Sequence, residues 1–202
     1  MASDALFHFS RLAGPGREWQ PLKQRLDGEV LPALTRSGGT CWGMWHGLFG
    51  LASNELLVVT CWPRAANASA LLRDALPREM AVHDSADFVA TVRPDDVSPR
   101  TKPGLYVFRF FSLANVDVEE IAQLSLTAWA TFEANTTYAA QPQGLFCERD
   151  RSAARGRMLL LTWYDGFASW QASRAPHPDA SANFQRRAAL TNGTTAYATR
   201  LT

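Results

Sequence analysis

Short segments of the first half of the chain recur in the same order about a hundred residues later. The apolar segment 56–62, Leu-Leu-Val-Val-Thr-Cys-Trp, resembles the segment 158–164, Met-Leu-Leu-Leu-Thr-Trp-Tyr. Two further pairs are similar in kind, at the start and at the end of each half: 5–9 with 104–108, and 89–93 with 197–201. Three matches in one order indicate an internal duplication, so both halves are expected to form the same structural unit.

The residues between these matches indicate what that unit is. Apolar residues at helical spacing follow the first strand of each half, over 19–34 and over 118–132. In the second half, Asp117 and Glu120 have the spacing of a capping box at the start of the helix. Further strands are expected at Cys41–His46 and Gly144–Glu148, and shorter helices at Ser69–Leu76 and Phe167–Arg174. Each half therefore reads β-α-β-β-α-β, the ferredoxin-like order of an α+β protein.

A ferredoxin-like sheet carries helices on one face only, so its other face must be buried against a partner. Two tandem units in one chain supply that partner, and we expect them to form a pseudo-dimeric α/β barrel. The predicted organisation is a first repeat at 1–93, a linker at 94–103 and a second repeat at 104–202. The linker is rich in proline and charge, which predicts a stiff, solvated connector.

Composition limits the function classes. The chain has 202 residues, 47% of them hydrophobic, and a net charge of +1 without a basic stripe, so we expect no nucleic-acid partner. Its apolar runs are too short to span a bilayer, so we expect no membrane partner. Three cysteines without a CxxC pair are typical of reduced thiols, and the first residues do not resemble a secretory signal. These features predict a cytoplasmic protein, and they leave a homodimer open.

Motifs for metal, phosphate or dinucleotide binding do not occur, and no metal site or cofactor is expected. The four histidines, His8, His46, His83 and His177, are dispersed. His46 ends a probable strand among aromatic residues, where it is a candidate acid or base, or a haem ligand. The alternative is a partly exposed histidine at the end of a strand, without a chemical role.

The second half resembles a known family. Its opening, Leu-Tyr-Val-Phe-Arg-Phe-Phe at 105–111, is followed by Leu-Thr-Trp-Tyr-Asp at 161–165, and then by Trp170, Pro178 and Phe184. Together these residues resemble the NIPSNAP-like members of the dimeric α/β-barrel superfamily, which also contains antibiotic-biosynthesis-type monooxygenases. The resemblance implies enzymes that act without metal or prosthetic group on apolar aromatic substrates, bound between sheet and helices. Other members bind or degrade haem. The first half has Ser10 where the second has Arg109.

Our leading prediction is therefore a barrel that binds a small, largely apolar or aromatic molecule. If it is catalytic, we expect a cofactor-independent monooxygenase or isomerase. His46 would act as the base and Arg109 would stabilise negative charge, while four aromatic residues would line the ligand site: Trp45, Trp62, Tyr106 and Trp163. The alternatives are a non-enzymatic binding or assembly barrel, whose core these aromatics fill, and a haem-binding protein. For Arg109 we favour a structural ion pair with an acid such as Glu148 over a ligand contact, because a buried guanidinium needs an anionic partner.

Overall fold

A computed structural model describes residues 4–63, 66–175 and 178–202, apart from the side chain of Asp179. This part of the chain contains eight strands: Ala5–Ala13 (β1), Thr40–Phe49 (β2), Glu55–Pro63 (β3), Ala81–Arg93 (β4), Leu105–Ala114 (β5), Ala140–Glu148 (β6), Arg155–Tyr164 (β7) and Thr191–Leu201 (β8). Its α-helices are Trp19–Arg25 (α1), Leu31–Arg36 (α2), Ala68–Ala75 (α3), Val118–Glu133 (α4), Phe167–Ala172 (α5) and Pro178–Ala189 (α6). A π-helical turn, Leu26–Val30, joins α1 to α2, and a 3-10 turn, Asn115–Asp117, precedes α4.

The strands form one closed barrel in the order β1-β3-β2-β8-β5-β7-β6-β4. All neighbouring strands are antiparallel. Each half has the ferredoxin-like strand order, β4-β1-β3-β2 in the first and β8-β5-β7-β6 in the second. The two halves meet at two seams, where β2 pairs with β8 and β4 pairs with β6. The α+β fold of two tandem ferredoxin-like units, closed as a pseudo-dimeric barrel, is therefore confirmed.

Alternation along the strands separates an aromatic interior from an outer face under the helices. On β5, for example, Tyr106, Phe108 and Phe110 point inward, while Leu105 and Val107 point outward. The interior is filled by side chains from both halves, and the cavity left among them measures only about 10 Å³. This packing closes the barrel by burying the sheet face that each unit leaves bare.

The helix of the first half packs its apolar stripe on the outer face of the sheet, as its spacing predicts. Leu22, Leu26, Val30 and Leu34 are all buried there, and the π-helical turn keeps Leu26 and Val30 in the stripe. The helix ends before Gly38, whose φ of 88° lies in the left-handed region that favours glycine.

The second half differs from the prediction in two features: the start of helix α4 and an additional helix, α6. The Asp117 side chain makes no capping hydrogen bond, and Glu120 accepts instead from Arg186 Nε at 2.8 Å. The predicted capping box is therefore wrong, because an arginine on another helix competes for the glutamate. That helix, α6, is an addition to the expected order and packs along α4. His177, between α5 and α6, lies outside the described residues.

The connector between the repeats is mostly exposed, in keeping with its composition, but it is anchored on interior aromatic residues. The Arg100 backbone N–H donates to the Trp42 carbonyl at 2.7 Å, and the Arg100 guanidinium lies 4.9 Å from the centre of the Trp42 ring. Trp163 Nε1 donates to the Pro103 carbonyl at 2.9 Å. The connector thus covers one end of the barrel. The division into 1–93, 94–103 and 104–202 stays a prediction.

No helix in the described ranges is both long enough and apolar enough to cross a bilayer.

Candidate functional site

The predicted catalytic pair, His46 and Arg109, is not brought together. Both side chains lie on the outer face of the sheet, but strand β8 lies between their strands. Across β8, His46 pairs with Arg200, and Arg200 in turn pairs with Leu105 on β5. Arg109 lies four residues further along β5, which is roughly 13 Å in the strand direction. A proton transfer that uses both groups on one small substrate therefore does not fit this geometry.

His46 is part of the helix-covered layer of the first half. Its ring is half-buried and stacks on Trp19, with 4.7 Å between the ring centres and 7° between the planes. Its Nδ1 lies 3.3 Å from the Gly47 carbonyl oxygen. Trp19 covers one face of the ring, and the contact of Nδ1 with the Gly47 carbonyl leaves Nε2 as the nitrogen that could act as a base or a ligand. The role of His46 as a haem ligand stays a prediction.

The four aromatic residues expected around a ligand lie in two places. Trp45, Tyr106 and Trp163 belong to the filled barrel interior, where Trp45 and Tyr106 are in edge contact at 5.6 Å. Trp62 lies on the outer face of the first half, and its Nε1 donates to Thr60 Oγ1 at 2.8 Å. They do not surround a common space, because the residues of a strand alternate between the two faces.

Arg109 does not pair with Glu148. Glu148 binds Arg157, whose Nε donates to Glu148 Oε1 at 3.0 Å, and Arg157 also binds Asp84 at 2.9 Å. The strand register explains the difference: Arg109 is opposite Leu160 on β7, and Leu160 is opposite Leu145 on β6. Glu148 lies three residues beyond that row. The predicted structural pair is therefore wrong.

Arg109 instead lies on the floor of a pocket between the sheet of the second half and its helices. The pocket has a volume of about 380 Å³. Its floor continues along β7, where Leu160, Thr162 and Tyr164 share the outer face. Its helical side is lined by apolar rings and by two further arginines: Trp129, Phe132, Phe184, Arg174 and Arg187. None of the described residues that line this space is acidic.

The charges of this pocket are poorly compensated. Burial lowers the pKa of Arg109 below its ordinary value. Tyr164 opposes this change in part, and the positive charge of Arg174 adds a smaller lowering effect. Burial and the nearby Arg109 lower the pKa of Arg187 to about 10. Both guanidiniums remain charged near neutral pH, since arginine holds its proton far above that range.

The hydrogen-bond partners of Arg187 are neutral. Its Nη1 donates to Ser125 Oγ at 3.2 Å, and its guanidinium lies 4.8 Å from the centre of the Phe184 ring. Among the described residues, no side chain hydrogen-bonds to Arg109 at all. Two half-buried cations that share a pocket, with no acid among its described lining residues, favour the binding of a carboxylate or another oxyanion.

The equivalent place in the first half is closed. Ser10, the counterpart of Arg109, is buried on the outer face of β1, and so is His8, whose Nδ1 lies 2.6 Å from Asp87. The neighbouring Leu6 and Leu12 pack under the helices of that half. The two units thus share a fold, but the arginine pocket is a feature of the second.

Arg174, Arg187 and Tyr164 had not been singled out from the sequence as site residues. Tyr164 could have been placed from the sequence, because it follows Leu160 and Thr162 at the spacing of a strand and therefore lies on the same face of the sheet. Arg187 could not have been, since it lies on α6, whose weak apolar pattern does not predict a helix over the sheet.

No cluster of three or more potential metal ligands occurs in the part of the chain that the structure describes.

Comparison with known proteins identifies the fold. No protein-family profile matches the chain, and no curated protein matches its sequence. Solved structures do match: an anthrone oxidase-like protein has a TM-score of 0.62 at 12% identity, covering 99% of this chain and 92% of its own. A mutant chlorite dismutase from Candidatus Nitrospira defluvii has a TM-score of 0.61 at 10% identity, with coverages of 99% and 91%.

A third structure shows the same fold. It is a ferredoxin-fold protein related to antibiotic biosynthesis monooxygenases, from Listeria monocytogenes, with a TM-score of 0.51 at 9% identity and coverages of 98% and 95%. At such identities the likeness shows the fold alone. The chain therefore has the ferredoxin-like α/β-barrel fold of the chlorite dismutases and of the antibiotic-biosynthesis-monooxygenase-like proteins. The narrower NIPSNAP-like resemblance stays a prediction.

Proposed function

We propose that this protein binds a small molecule with an apolar body and an acidic group, in the pocket between the second sheet half and α4 and α6. The observation that carries the proposal is the pair of half-buried guanidiniums, Arg109 and Arg187, in a space without a described acid. The acidic group would lie between them. The rings of Phe132 and Phe184 would contact the apolar body, which retains the predicted preference for an apolar or aromatic molecule.

The pocket suits ligand binding in size as well as in charge. Its volume of about 380 Å³ lies within the range of small-molecule sites, roughly 300–1,000 Å³. The barrel interior, with about 10 Å³ free, offers no comparable space. We therefore place the ligand outside the barrel, between sheet and helices.

As an enzyme, this site would act by stabilising negative charge. Arg109 and Arg187 would hold an enolate or a related oxyanion of the substrate, the anion that a cofactor-independent monooxygenase or isomerase forms. His46 is too distant to act as the base. Apart from the arginines, the described ionisable side chain that lines the pocket is the phenol of Tyr164. The second candidate is a barrel that binds such an acid without transforming it, and the same pair of guanidiniums supports it. We retain a cytoplasmic location as part of the proposal.

Binding of matched acids and neutral analogues tests the proposal. Calorimetric titration with a panel of aromatic carboxylates and their amides should show binding of acids over amides by about tenfold or more, the effect of one charge-assisted contact. Arg109→Met should remove that preference. Equal binding of acids and amides, or an acid preference that survives in Arg109→Met, would contradict the proposed site.

A further inference from the structure

The charge of the pocket exceeds what one acidic group can balance. Three guanidiniums line it, those of Arg109, Arg174 and Arg187. A single carboxylate between Arg109 and Arg187 leaves two positive charges uncompensated. Arg174 is exposed, so its charge is solvated, but a second acidic group of the ligand would still be attracted to it. The excess of positive charge therefore favours a ligand of higher negative charge.

The acids of the neighbouring helix α4 do not relieve this excess. Its three glutamates are each committed to an arginine outside the pocket: Glu119 to Arg151 at 2.7 Å, Glu120 to Arg186 at 2.8 Å, and Glu133 to Arg93 at 2.6 Å. The glutamates of α4 therefore do not pair with the cations of the pocket, and no other described acid lines it.

The three arginines also differ in depth. Arg109 rises from the sheet and Arg187 faces it from α6, and both side chains are half-buried. Arg174 follows α5 and is exposed, which places it at the rim. Phe132 and Phe184 line the same space. The pocket thus combines a half-buried pair of cations, two apolar rings and a third cation that is exposed.

We infer that the ligand of this pocket is a dicarboxylate, with one carboxylate between Arg109 and Arg187, the second at Arg174, and an apolar body between the two. This inference rests on the proposed function and specifies its ligand class. It assigns to Arg174 a role in selecting doubly charged over singly charged acids.

Two probes that share one aromatic ring but differ in their number of carboxylates can show whether the second acidic group contributes to binding. Terephthalate carries two carboxylates, and in its monomethyl ester one of them is neutral. In calorimetric titrations at an ionic strength of about 0.05 M, where rim charges are weakly screened, we expect terephthalate to bind about fivefold to tenfold more tightly. Arg174→Gln should abolish this advantage and leave the dissociation constant of the ester unchanged. Arg73→Gln, which removes an exposed arginine from α3, is the control for net charge.

The possible results separate a failure of the dicarboxylate inference from a failure of the proposed function. Equal binding of both probes, with Arg109→Met weakening both, would overturn the dicarboxylate inference and leave the proposed function standing. Equal weakening of both probes by Arg174→Gln would also overturn it, because Arg174 would then not read the second acid. Binding that is undetectable for both probes, or unaffected by Arg109→Met, would contradict the proposed function and the inference together.

Discussion

Two arginines on the second half of the sheet, Arg109 and Arg157, show how the strand register decides which buried cation is free to bind a ligand. Arg157 lies at one end of the barrel interior, paired with Asp84 and Glu148 and 5.5 Å from the centre of the Phe110 ring. Arg109, on the outer face, has no described anionic partner. The sequence predicts that Arg109 needs an anionic partner. It does not show the strand register, which places Glu148 next to Arg157 and not next to Arg109.

Replacing each of these arginines by methionine should therefore have opposite effects on stability. Without ligand, Arg109→Met should leave the free energy of unfolding unchanged or raise it by up to about 1 kcal/mol, because a poorly compensated charge is removed. Arg157→Met should lower it by about 1–3 kcal/mol, because Asp84 and Glu148 lose their partner. Urea unfolding followed by tryptophan fluorescence measures both. An equal loss in the two variants would show that Arg109 is a structural residue.

Glu55 is the residue whose ionisation should matter most for stability at acid pH. Its side chain is buried, and burial alone would raise its pKa, but hydrogen bonds from the Ala52 N–H, Arg11 and His83 outweigh this effect and lower the pKa below its ordinary value. The carboxylate therefore stabilises the fold above the pKa of the unfolded state, about 4.3. This contribution is lost as the pH falls further, through the lower pKa of the folded state.

Glu55→Gln should reduce the free energy of unfolding at neutral pH by about 2 kcal/mol. The difference from the wild type should persist at pH 5 and shrink below about pH 4, where the wild-type carboxylate becomes protonated. Glu29→Gln, at a surface pair with Arg25 where the glutamate side chain is 56% exposed, should change stability by less than about 0.5 kcal/mol. A Glu55→Gln deficit that grows as the pH falls below 4 would contradict the assigned pKa direction.

Among the secondary-structure elements, the strands were the most predictable. The apolar runs at 56–62 and 158–164 lie in β3 and β7, the third strand of each half, because a strand covered on both faces is apolar throughout. The helix α6 was not predicted. Only Ala180 among its described side chains is fully buried, so the helix lacks the apolar stripe that reveals α4.

The arginine pocket depends on this unpredicted helix. Arg187 reaches the pocket from α6, and Arg174 comes from the segment that precedes it. Arg109 could be placed on its strand from the sequence, because its neighbours alternate with it. Its partners could not, since they come from elements whose packing leaves no periodic signal.

Truncating a leucine of β7 tests the strand assignment. Leu159 is 2% exposed and points into the barrel interior, so Leu159→Ala should lower the free energy of unfolding by about 2–5 kcal/mol. Leu126→Ala, at a residue of α4 that is 40% exposed, is the matched control and should cost less than about 1 kcal/mol. A loss for Leu159→Ala below about 0.5 kcal/mol in denaturant unfolding would show that the strand is wrongly placed.

At the scale of the whole molecule, the two halves bury their sheets in the same way but differ in the layer of helices that covers them. Both place an aromatic face inside the barrel, and both cover the outer face with helices. In the first half this layer is closed over Ser10 and His8, whereas in the second half it leaves a pocket above Arg109. The duplicated pattern of the sequence could predict the common architecture. It could not predict the divergence, because that depends on side chains where the two halves do not match.

The central claim, that the outer pocket of the second half binds an acidic molecule through Arg109 and Arg187, can be tested most directly by NMR. The protein would be labelled with ¹⁵N-arginine, and the Nε–Hε resonances, assigned with single Arg→Lys variants, would be followed during titration with monomethyl terephthalate. The account predicts that the resonances of Arg109 and Arg187 shift together and saturate, while that of Arg157, fixed by two carboxylates, stays in place. A saturable shift confined to other arginines, or no shift at Arg109, would contradict it.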